Sequence, residues 1–221
     1  MKIKLTIALA LAFISFASYA QQEIVVNLED REEAMSLTEK GIRKIDAGNI
    51  AGAIKDLESA ISIDSTFHPA YVNLYSAHSK SEGNKAELIR LLEKGTRIFE
   101  EDDELTYYLG YVYYQRSQYK EAITEFTKAI GYSKINGEDF QMVYGYHFNR
   151  GNAYLKIKEF QKAVKDYTYA LKLSPDNPDI LTNRGIANYQ LKNKQEACLD
   201  WHKSEEEGGF TSGKYIKQFC P

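Results

Sequence analysis

Apolar residues recur along most of the chain at spacings of three and four, which is the period of an amphipathic helix. Ala122, Phe126 and Ala129 follow this spacing, and the same pattern returns in later segments. Short polar breaks such as Lys158-Glu159 separate the apolar runs, and only four prolines occur in 221 residues. The pattern therefore predicts a largely helical chain in which short turns join successive helices.

The helical pattern repeats with a period close to 34 residues. A small-residue column near the start of each unit steps by 34, 35, 41 and 34 residues, with tyrosine replacing glycine once: Gly41, Tyr75, Gly110, Gly151 and Gly185. Three more columns keep the same phase: Ala53, Leu88, Ala122, Ala163 and Ala197; the bulky Leu57, Leu92, Phe126, Tyr167 and Trp201; and the small Ala60, Gly95, Ala129, Ala170 and Ser204. Small residues let two helices approach closely while bulky ones fill the groove between them, so the columns indicate an array of helical repeats.

At this period the sequence resembles the tetratricopeptide repeat (TPR) family. The residues that carry the resemblance are Leu109-Gly110, Tyr113, Tyr119, Ala122, Phe126 and Ala129 in one unit, and Gly151, Tyr154, Phe160, Ala163, Tyr167, Ala170 and Pro175 in the next. The resemblance implies an all-α, right-handed superhelical solenoid of about five TPR-like helix pairs plus a C-terminal capping helix.

The resemblance divides the chain into an N-terminal segment 21–33, a solenoid 34–211 and a capping helix 212–221. The five units of the solenoid are 34–67, 68–102, 103–136, 144–177 and 178–211. The second unit departs most from the family pattern, and the first has Lys40 and Lys44 where the family prefers Leu and Tyr. A more polar terminal repeat is typical of a cap.

Residues 137–143 form an insertion between the third and fourth units. Gly137 can end a helix and Asp139 can cap the next one, so one hypothesis is that the first helix of the fourth unit begins early. A longer solvent loop is the alternative, since loop insertions cost little.

Residues 1–20 have the layout of a secretory signal peptide. A basic start (Met1 to Lys4) precedes an apolar run from Leu5 to Phe16, and small residues stand at the −3 and −1 positions of a cleavage site after Ala20. An uncleaved anchor helix is the alternative, but the apolar run is shorter than the roughly 20 residues that span a bilayer. We therefore expect an exported mature chain without membrane insertion, periplasmic or associated with the cell envelope of a bacterium, or secreted.

The charge balance is mildly acidic. The chain carries 28 Lys and Arg against 31 Asp and Glu, a net charge of −3. Cleavage after Ala20 would remove Lys2 and Lys4, leaving 26 against 31 and a net charge of −5. A protein that binds a phosphate backbone needs a basic face, so we expect no nucleic-acid partner.

The two cysteines, Cys198 and Cys220, would share an oxidising compartment if the chain is exported. Counted from Gly208-Gly209, Cys198 lies about ten residues back and Cys220 about eleven forward, which places both at nearly the same level of two antiparallel helices. This spacing predicts a disulfide that ties the capping helix to the last repeat. A metal site with His202 is the alternative, but structural zinc sites have four ligands and only three are present here.

The TPR resemblance implies that the first helix of each pair lines a concave surface. Carried over residue by residue, the sixth repeat position gives Asn73, Asn149 and Asn183, with Tyr108 in the third unit, and the ninth gives Asn152. This row resembles the asparagine ladder with which some TPR superhelices hold a peptide backbone. A carboxamide can donate and accept hydrogen bonds at once, which suits that task. The alternative is that these asparagines only cap helices or solvate a polar groove.

Aromatic residues flank the asparagines. Tyr107, Tyr111 and Tyr114 follow one another at i, i+4 and i+7 and so share one face of a helix. Phe148 and Tyr189 occupy matching positions in the fourth and fifth units. Exposed tyrosines are frequent anchors of interfaces, and we expect these residues to bury side chains of a ligand. Part of such a stripe also belongs to the core, as we expect for Tyr113.

Enzymatic motifs are missing from the sequence. The four histidines are scattered, no glycine-rich phosphate loop is present, and the frequent carboxylates are expected on solvated helical faces. We therefore predict a non-catalytic protein without cofactors or metals that binds a peptide segment or partner protein in its concave groove. The alternatives are a structural subunit of an envelope complex that uses the convex face, and a carbohydrate-binding module.

Overall fold

The computed structural model describes residues 3–4, 25–81, 83, 85–137 and 142–220. It consists of two compact units, Met1–Phe99 and Glu100–Pro221. In the first unit Ile3–Lys4 (β1) pairs antiparallel with Val25–Val26 (β2). Apart from Ile3–Lys4, the predicted signal peptide lies outside the described residues. No helix among the described residues is long and apolar enough to cross a bilayer.

Four helices make up most of the remaining described residues of the first unit. They are α1 (Leu28–Asp46), α2 (Ile50–Ile63), α3 (His68–Ser79) and α4 (Ala86–Ile98). Helix α1 packs against α2, α2 against α3 and α3 against α4, with a further contact between α1 and α3. Asn27 and Asn49 cap the first two helices by accepting hydrogen bonds from the backbone N–H groups of Glu29 and Gly52.

Seven helices lie within the part of the second unit that the structure describes. They are α5 (Asp103–Gln115), α6 (Tyr119–Asn136), α7 (Val143–Lys156), α8 (Phe160–Leu173), α9 (Pro178–Gln190), α10 (Lys194–Glu206) and α11 (Ser212–Phe219). Each helix packs against the next along the chain. Helix α7 also contacts α5 and α9, so the first helices of the three pairs lie side by side. The prediction of an all-α fold is confirmed.

Glycines in the small-residue column bring the two helices of a pair into close contact. A Cβ atom added to Gly151 would lie 2.7 Å from Tyr167 Cε1, and one added to Gly185 would lie 2.5 Å from Trp201 Nε1. Both aromatic rings are fully buried. The small and bulky columns therefore meet each other, which explains why they keep one phase along the chain.

The C-terminal helix α11 covers the end of the second unit. Cys198 and Cys220 form a disulfide with their Cα atoms 5.8 Å apart. The ring of Trp201 stacks on Tyr215 with centroids 5.0 Å apart and also contacts Phe219 at 6.0 Å. Helix α11 thereby shields the apolar surface that the last repeat would otherwise expose.

The insertion between α6 and α7 is described only at its two ends. Helix α6 ends at Asn136, and Gly137 follows with a φ of +102°, a conformation that favours glycine. Helix α7 begins at Val143. The predicted early start at Asp139 lies outside the described residues.

Candidate binding site

Three asparagines on α7 and α9 form one hydrogen-bonded row, which we call the amide row: Asn149, Asn152 and Asn183. Asn183 Nδ2 donates to Asn152 Oδ1 at 2.9 Å, and Asn152 Nδ2 donates to Asn149 Oδ1 at 3.5 Å. Asn149 is buried, and the other two side chains are half-buried. The row therefore crosses from one repeat to the next through side-chain amides alone.

A tyrosine hydroxyl continues the amide row into the third repeat, where no asparagine is present. Asn149 Nδ2 donates to Tyr107 Oη at 2.9 Å. Tyr108, which holds the sixth repeat position, instead donates to Glu104 Oε1 of its own helix at 2.6 Å. Sequence reasoning placed Tyr107 with the aromatic stripe and missed this role, because a bond between residues 42 positions apart depends on side-chain direction and leaves no trace in the spacing.

A second tyrosine fixes the middle of the amide row. The Tyr167 hydroxyl donates to Asn152 Oδ1 at 2.8 Å, so this oxygen accepts two hydrogen bonds. Tyr167 belongs to the bulky column and its ring is buried. A core residue thus orients an amide of the candidate site, a link that the sequence did not reveal.

The side chains of four tyrosines on α5 and α6 contact one another in succession, and we call this set the tyrosine row: Tyr107, Tyr111, Tyr114 and Tyr119. Successive ring centroids lie 6.2, 6.4 and 5.6 Å apart. All four side chains retain part of their surface. The row ends at a shallow cavity of about 390 Å³ that Tyr119 and Ile157 help to line.

Both rows consist of neutral groups. Burial and the neighbouring Tyr111 raise the pKa of Tyr107 to about 12, although the hydrogen bond from Asn149 lowers it. Burial, Tyr119 and Tyr111 also raise the pKa of Tyr114. These phenols keep their protons at any physiological pH, so the rows offer ring faces and hydrogen-bonding groups without charge.

The remaining predicted site residues lie in other surroundings. Tyr107 packs on Phe126 and Tyr146 at 5.7 and 4.7 Å, so its ring belongs to the core more than we expected. Phe148 contacts the ring of Tyr167 at 6.1 Å. Tyr189 packs against Phe219 of α11 at 4.3 Å, and the capping helix thus occupies one of its faces.

Asn73 lies in the first unit, on α3. Its Nδ2 donates to the backbone oxygen of Pro69 at 2.8 Å, one turn earlier in the same helix. This bond ties the amide to the backbone of its own helix.

Buried ion pairs hold the helices of a pair together, and the sequence reasoning missed them. Arg150 donates to both carboxylate oxygens of Asp166, at 2.8 and 2.7 Å. Arg184 does the same to Asp200, at 2.9 and 2.6 Å. The prediction that the carboxylates lie on solvated faces is wrong for these two residues, which are buried. The signal was present in three of the five units, where a base stands just before the glycine and an acid just before the bulky residue: Lys40 and Asp56, Arg150 and Asp166, and Arg184 and Asp200.

One of these ion pairs includes a buried histidine. His147 Nδ1 lies 3.2 Å from Asp166 Oδ1, and its ring stacks on Tyr169 at 4.1 Å. Burial raises the pKa of Asp166, but hydrogen bonds from Arg150 and His147 outweigh it and lower the pKa overall. Asp166 is therefore a charged structural group, and its location between α7 and α8 suits a role in positioning the helix that carries the amide row.

Nothing in the described part of the chain gathers three or more His, Cys, Asp or Glu side chains in a geometry that could hold a metal ion. Both cysteines are consumed in the disulfide. The candidate site is therefore a surface of amides and phenols, whose chemistry is hydrogen bonding and ring contact.

Comparison with known proteins agrees with this architecture. A profile described as "TPR repeat" matches residues 151–192, and one described as "Tetratricopeptide repeat" matches residues 107–136. The chain therefore contains TPR repeats. A crystal structure of MamA superposes on the TPR chain with a TM-score of 0.69 at 19% identity and covers 80% of this chain and 92% of its own.

A second solved structure is titled "Crystal structure of YrrB: a TPR protein with an unusual peptide-binding site". It has a TM-score of 0.68 at 19% identity and covers 86% of this chain and 95% of its own. At these identities the two structures establish the shared fold.

Curated relatives match shorter parts of the TPR chain. The peptidyl-prolyl cis-trans isomerase FKBP4 of Rattus norvegicus is 28% identical over 102 residues, which are 42% of this chain and 22% of the relative. Sperm-associated antigen 1 of Homo sapiens is 31% identical over 85 residues, or 38% of this chain and 8% of the relative. The TPR chain thus spans about a fifth or less of these two proteins.

Proposed function

We propose that this TPR protein is an exported, non-catalytic interaction module that binds a peptide segment of a partner along the amide row and the tyrosine row. The TPR fold supports a protein or peptide partner in general. The observation that carries the specific proposal is the bonded chain from Tyr107 through Asn149 and Asn152 to Asn183. The half-buried amides of Asn152 and Asn183, held in fixed positions beside aromatic rings, combine backbone recognition with side-chain burial.

The residue pattern of positions 1–20 supports export, as does a disulfide, which persists in oxidising compartments. Cell fractionation followed by N-terminal sequencing of the recovered protein tests this part. We expect the mature chain to begin at Gln21 in the envelope or secreted fraction. Recovery of a chain that retains residues 1–20 in the cytoplasm would refute export and leave the binding proposal standing.

A crosslinking pull-down tests the binding face. The wild-type protein is compared with Tyr111→Ala/Asn183→Ala and with a control, Thr124→Ala/Lys134→Ala, which changes two exposed residues of α6. Far-UV circular dichroism first establishes that all three fold alike. The segment recovered with the wild type is then synthesised, and its affinity for each protein is measured by calorimetry.

We expect the site variant to bind the segment at least 10-fold more weakly than the wild type and the control to bind it unchanged, since hot-spot aromatic residues carry most of an interface energy. Equal binding by all three proteins would refute the proposed face.

A second candidate function is that of a scaffold subunit that binds through the outer helices, and one surface favours it. A shallow cavity of about 590 Å³ lies between α8, α9 and α10, floored by Leu171, Leu181 and Leu199. Leu199 exposes 63% of its surface. Leu199→Asp would abolish partner recovery in the same pull-down if this surface is used, while Tyr111→Ala/Asn183→Ala would not.

A further inference from the structure

The hydrogen bonds of the amide row all run in one direction. Each Nδ2 donates to the member of the row that lies earlier in the chain: Asn183 to Asn152, Asn152 to Asn149, and Asn149 to Tyr107. Asn152 Oδ1 additionally accepts from Tyr167, which uses both of its lone pairs. The acceptor capacity in the middle of the row is therefore consumed inside the protein.

The donor capacity is not consumed. A carboxamide nitrogen carries two protons, and each of the three asparagines spends one of them within the row. Asn149 is buried, so the N–H groups left for a ligand are those of the half-buried Asn152 and Asn183. At Asn152, where both lone pairs of Oδ1 are used, the row can donate to a carbonyl oxygen of a ligand but cannot accept from a ligand N–H group.

Proline-rich peptides offer this combination of groups. Proline has a carbonyl oxygen but no N–H, and the polyproline II helix makes no internal hydrogen bonds, so its carbonyl groups stay available. An ordinary extended peptide would bring an N–H group with each carbonyl, and the middle of the amide row could not accept from it.

The tyrosine row supplies the second half of the argument. Pro-rich segments dock on aromatic-lined surfaces, and they lose little conformational entropy because the polyproline II helix is already formed. Successive rings lie 5.6 to 6.4 Å apart, about twice the ~3.1 Å rise per residue of that helix, so each ring meets a different part of the segment. The neutrality of both rows gives no preference for a charged ligand.

We propose that the ligand of this face is a proline-rich segment in the polyproline II conformation, with its carbonyl oxygens toward the amide row and its rings against the tyrosine row. This inference rests on the proposed function and adds the chemical class of the ligand.

Fluorescence anisotropy with labelled ten-residue peptides tests it on the full chain. One peptide alternates proline with other neutral residues, and its partner peptide has alanine at every proline. We expect the proline peptide to bind at least 10-fold more tightly, and Tyr111→Leu/Tyr114→Leu, which keeps apolar bulk but removes the ring faces, to abolish the difference. Tyr132→Leu, at a half-buried tyrosine of α6, is the matched control and should leave the preference intact.

Selection of a random peptide library on the same proteins separates the two proposals. Enrichment of proline-rich sequences on the wild type and on Tyr132→Leu, but not on Tyr111→Leu/Tyr114→Leu, supports the inference. Peptides that need Tyr111 and Tyr114 but show no proline enrichment would overturn the ligand class and leave the binding face standing. Selected peptides that bind all three proteins alike, or a selection that enriches nothing, would overturn both.

Discussion

The close contact between Gly185 and Trp201 predicts that Gly185→Ala, which adds a single methyl group, destabilises the protein. In Gly185→Ala the new Cβ would lie 2.5 Å from Trp201 Nε1 and 2.7 Å from Cδ1, both far inside van der Waals contact. The ring cannot give way easily, because its Nε1 donates to the backbone oxygen of Thr182 at 3.2 Å and Tyr215 stacks on it. Overpacking of a core costs about 1–3 kcal/mol, and contacts this short with a fixed ring belong at the upper end of that range. Alanine returns about 1 kcal/mol of helix propensity, so we expect a net loss of about 2 kcal/mol.

Gly131 provides the matched control. It lies within α6, is exposed, and a Cβ added there meets nothing within 4 Å. Gly131→Ala should therefore gain about 1 kcal/mol from helix propensity alone. Urea unfolding followed by circular dichroism measures both variants, and the emission of Trp201, the sole tryptophan, reports the Gly185 site separately. If Gly185→Ala were as stable as the wild type, the explanation of the small-residue column by close approach would be wrong.

Three further predictions concern stability. Replacing Cys198 and Cys220 by serine, or reducing the disulfide, should cost about 3 kcal/mol and shift Trp201 emission to the red; an unchanged urea midpoint would contradict this. Burial, reinforced by the charge of Lys85, lowers the pKa of His78 below its usual value of about 6.5. The unfolded chain therefore takes up this proton before the folded one, so the free energy of unfolding should be unaffected above about pH 6.5 and should fall as the pH drops toward the lowered pKa. A pH titration of the urea midpoint should show that loss in the wild type and not in His78→Leu. Asp166→Asn should cost about 3–5 kcal/mol because it removes the buried carboxylate that compensates the charge of the half-buried Arg150, whereas the exposed ion-paired Asp176→Asn should cost about 0–1 kcal/mol in the same assay.

Periodicity was sufficient to predict the helices and the cysteine pair. The columns through Gly151 and Tyr167 follow from helix geometry, since residues that meet in every repeat must recur at the repeat length. The spacing of Cys198 and Cys220 about a glycine turn likewise depends only on the rise per residue of two antiparallel helices. Such features need no knowledge of side-chain direction, and the structure contains both.

The polar contacts of the site could not be predicted in this way. Tyr107 stands one residue before the row position of its repeat, yet its hydroxyl reaches Asn149 while Tyr108 turns back to its own helix. The occupied face of Tyr189 depends on how α11 docks, which repeat spacing does not specify. A contact between side chains that are far apart in sequence and do not occupy equivalent repeat positions can be identified only from the three-dimensional arrangement of the helices.

The fourth and fifth repeats combine three tasks in three consecutive residues, Asn149-Arg150-Gly151 and Asn183-Arg184-Gly185. Successive residues of a helix point about 100° apart, so the three side chains serve three directions. The asparagine faces the neighbouring repeat, the arginine holds the second helix of its own pair through a buried aspartate, and the glycine admits a bulky ring. The third repeat has Tyr108-Leu109-Gly110 instead, and it keeps only the glycine contact. The amide therefore occurs where an ion pair fixes the helix that carries it, and this is why we place the recognition of ligand backbone in the fourth and fifth repeats and the ring contacts in the third.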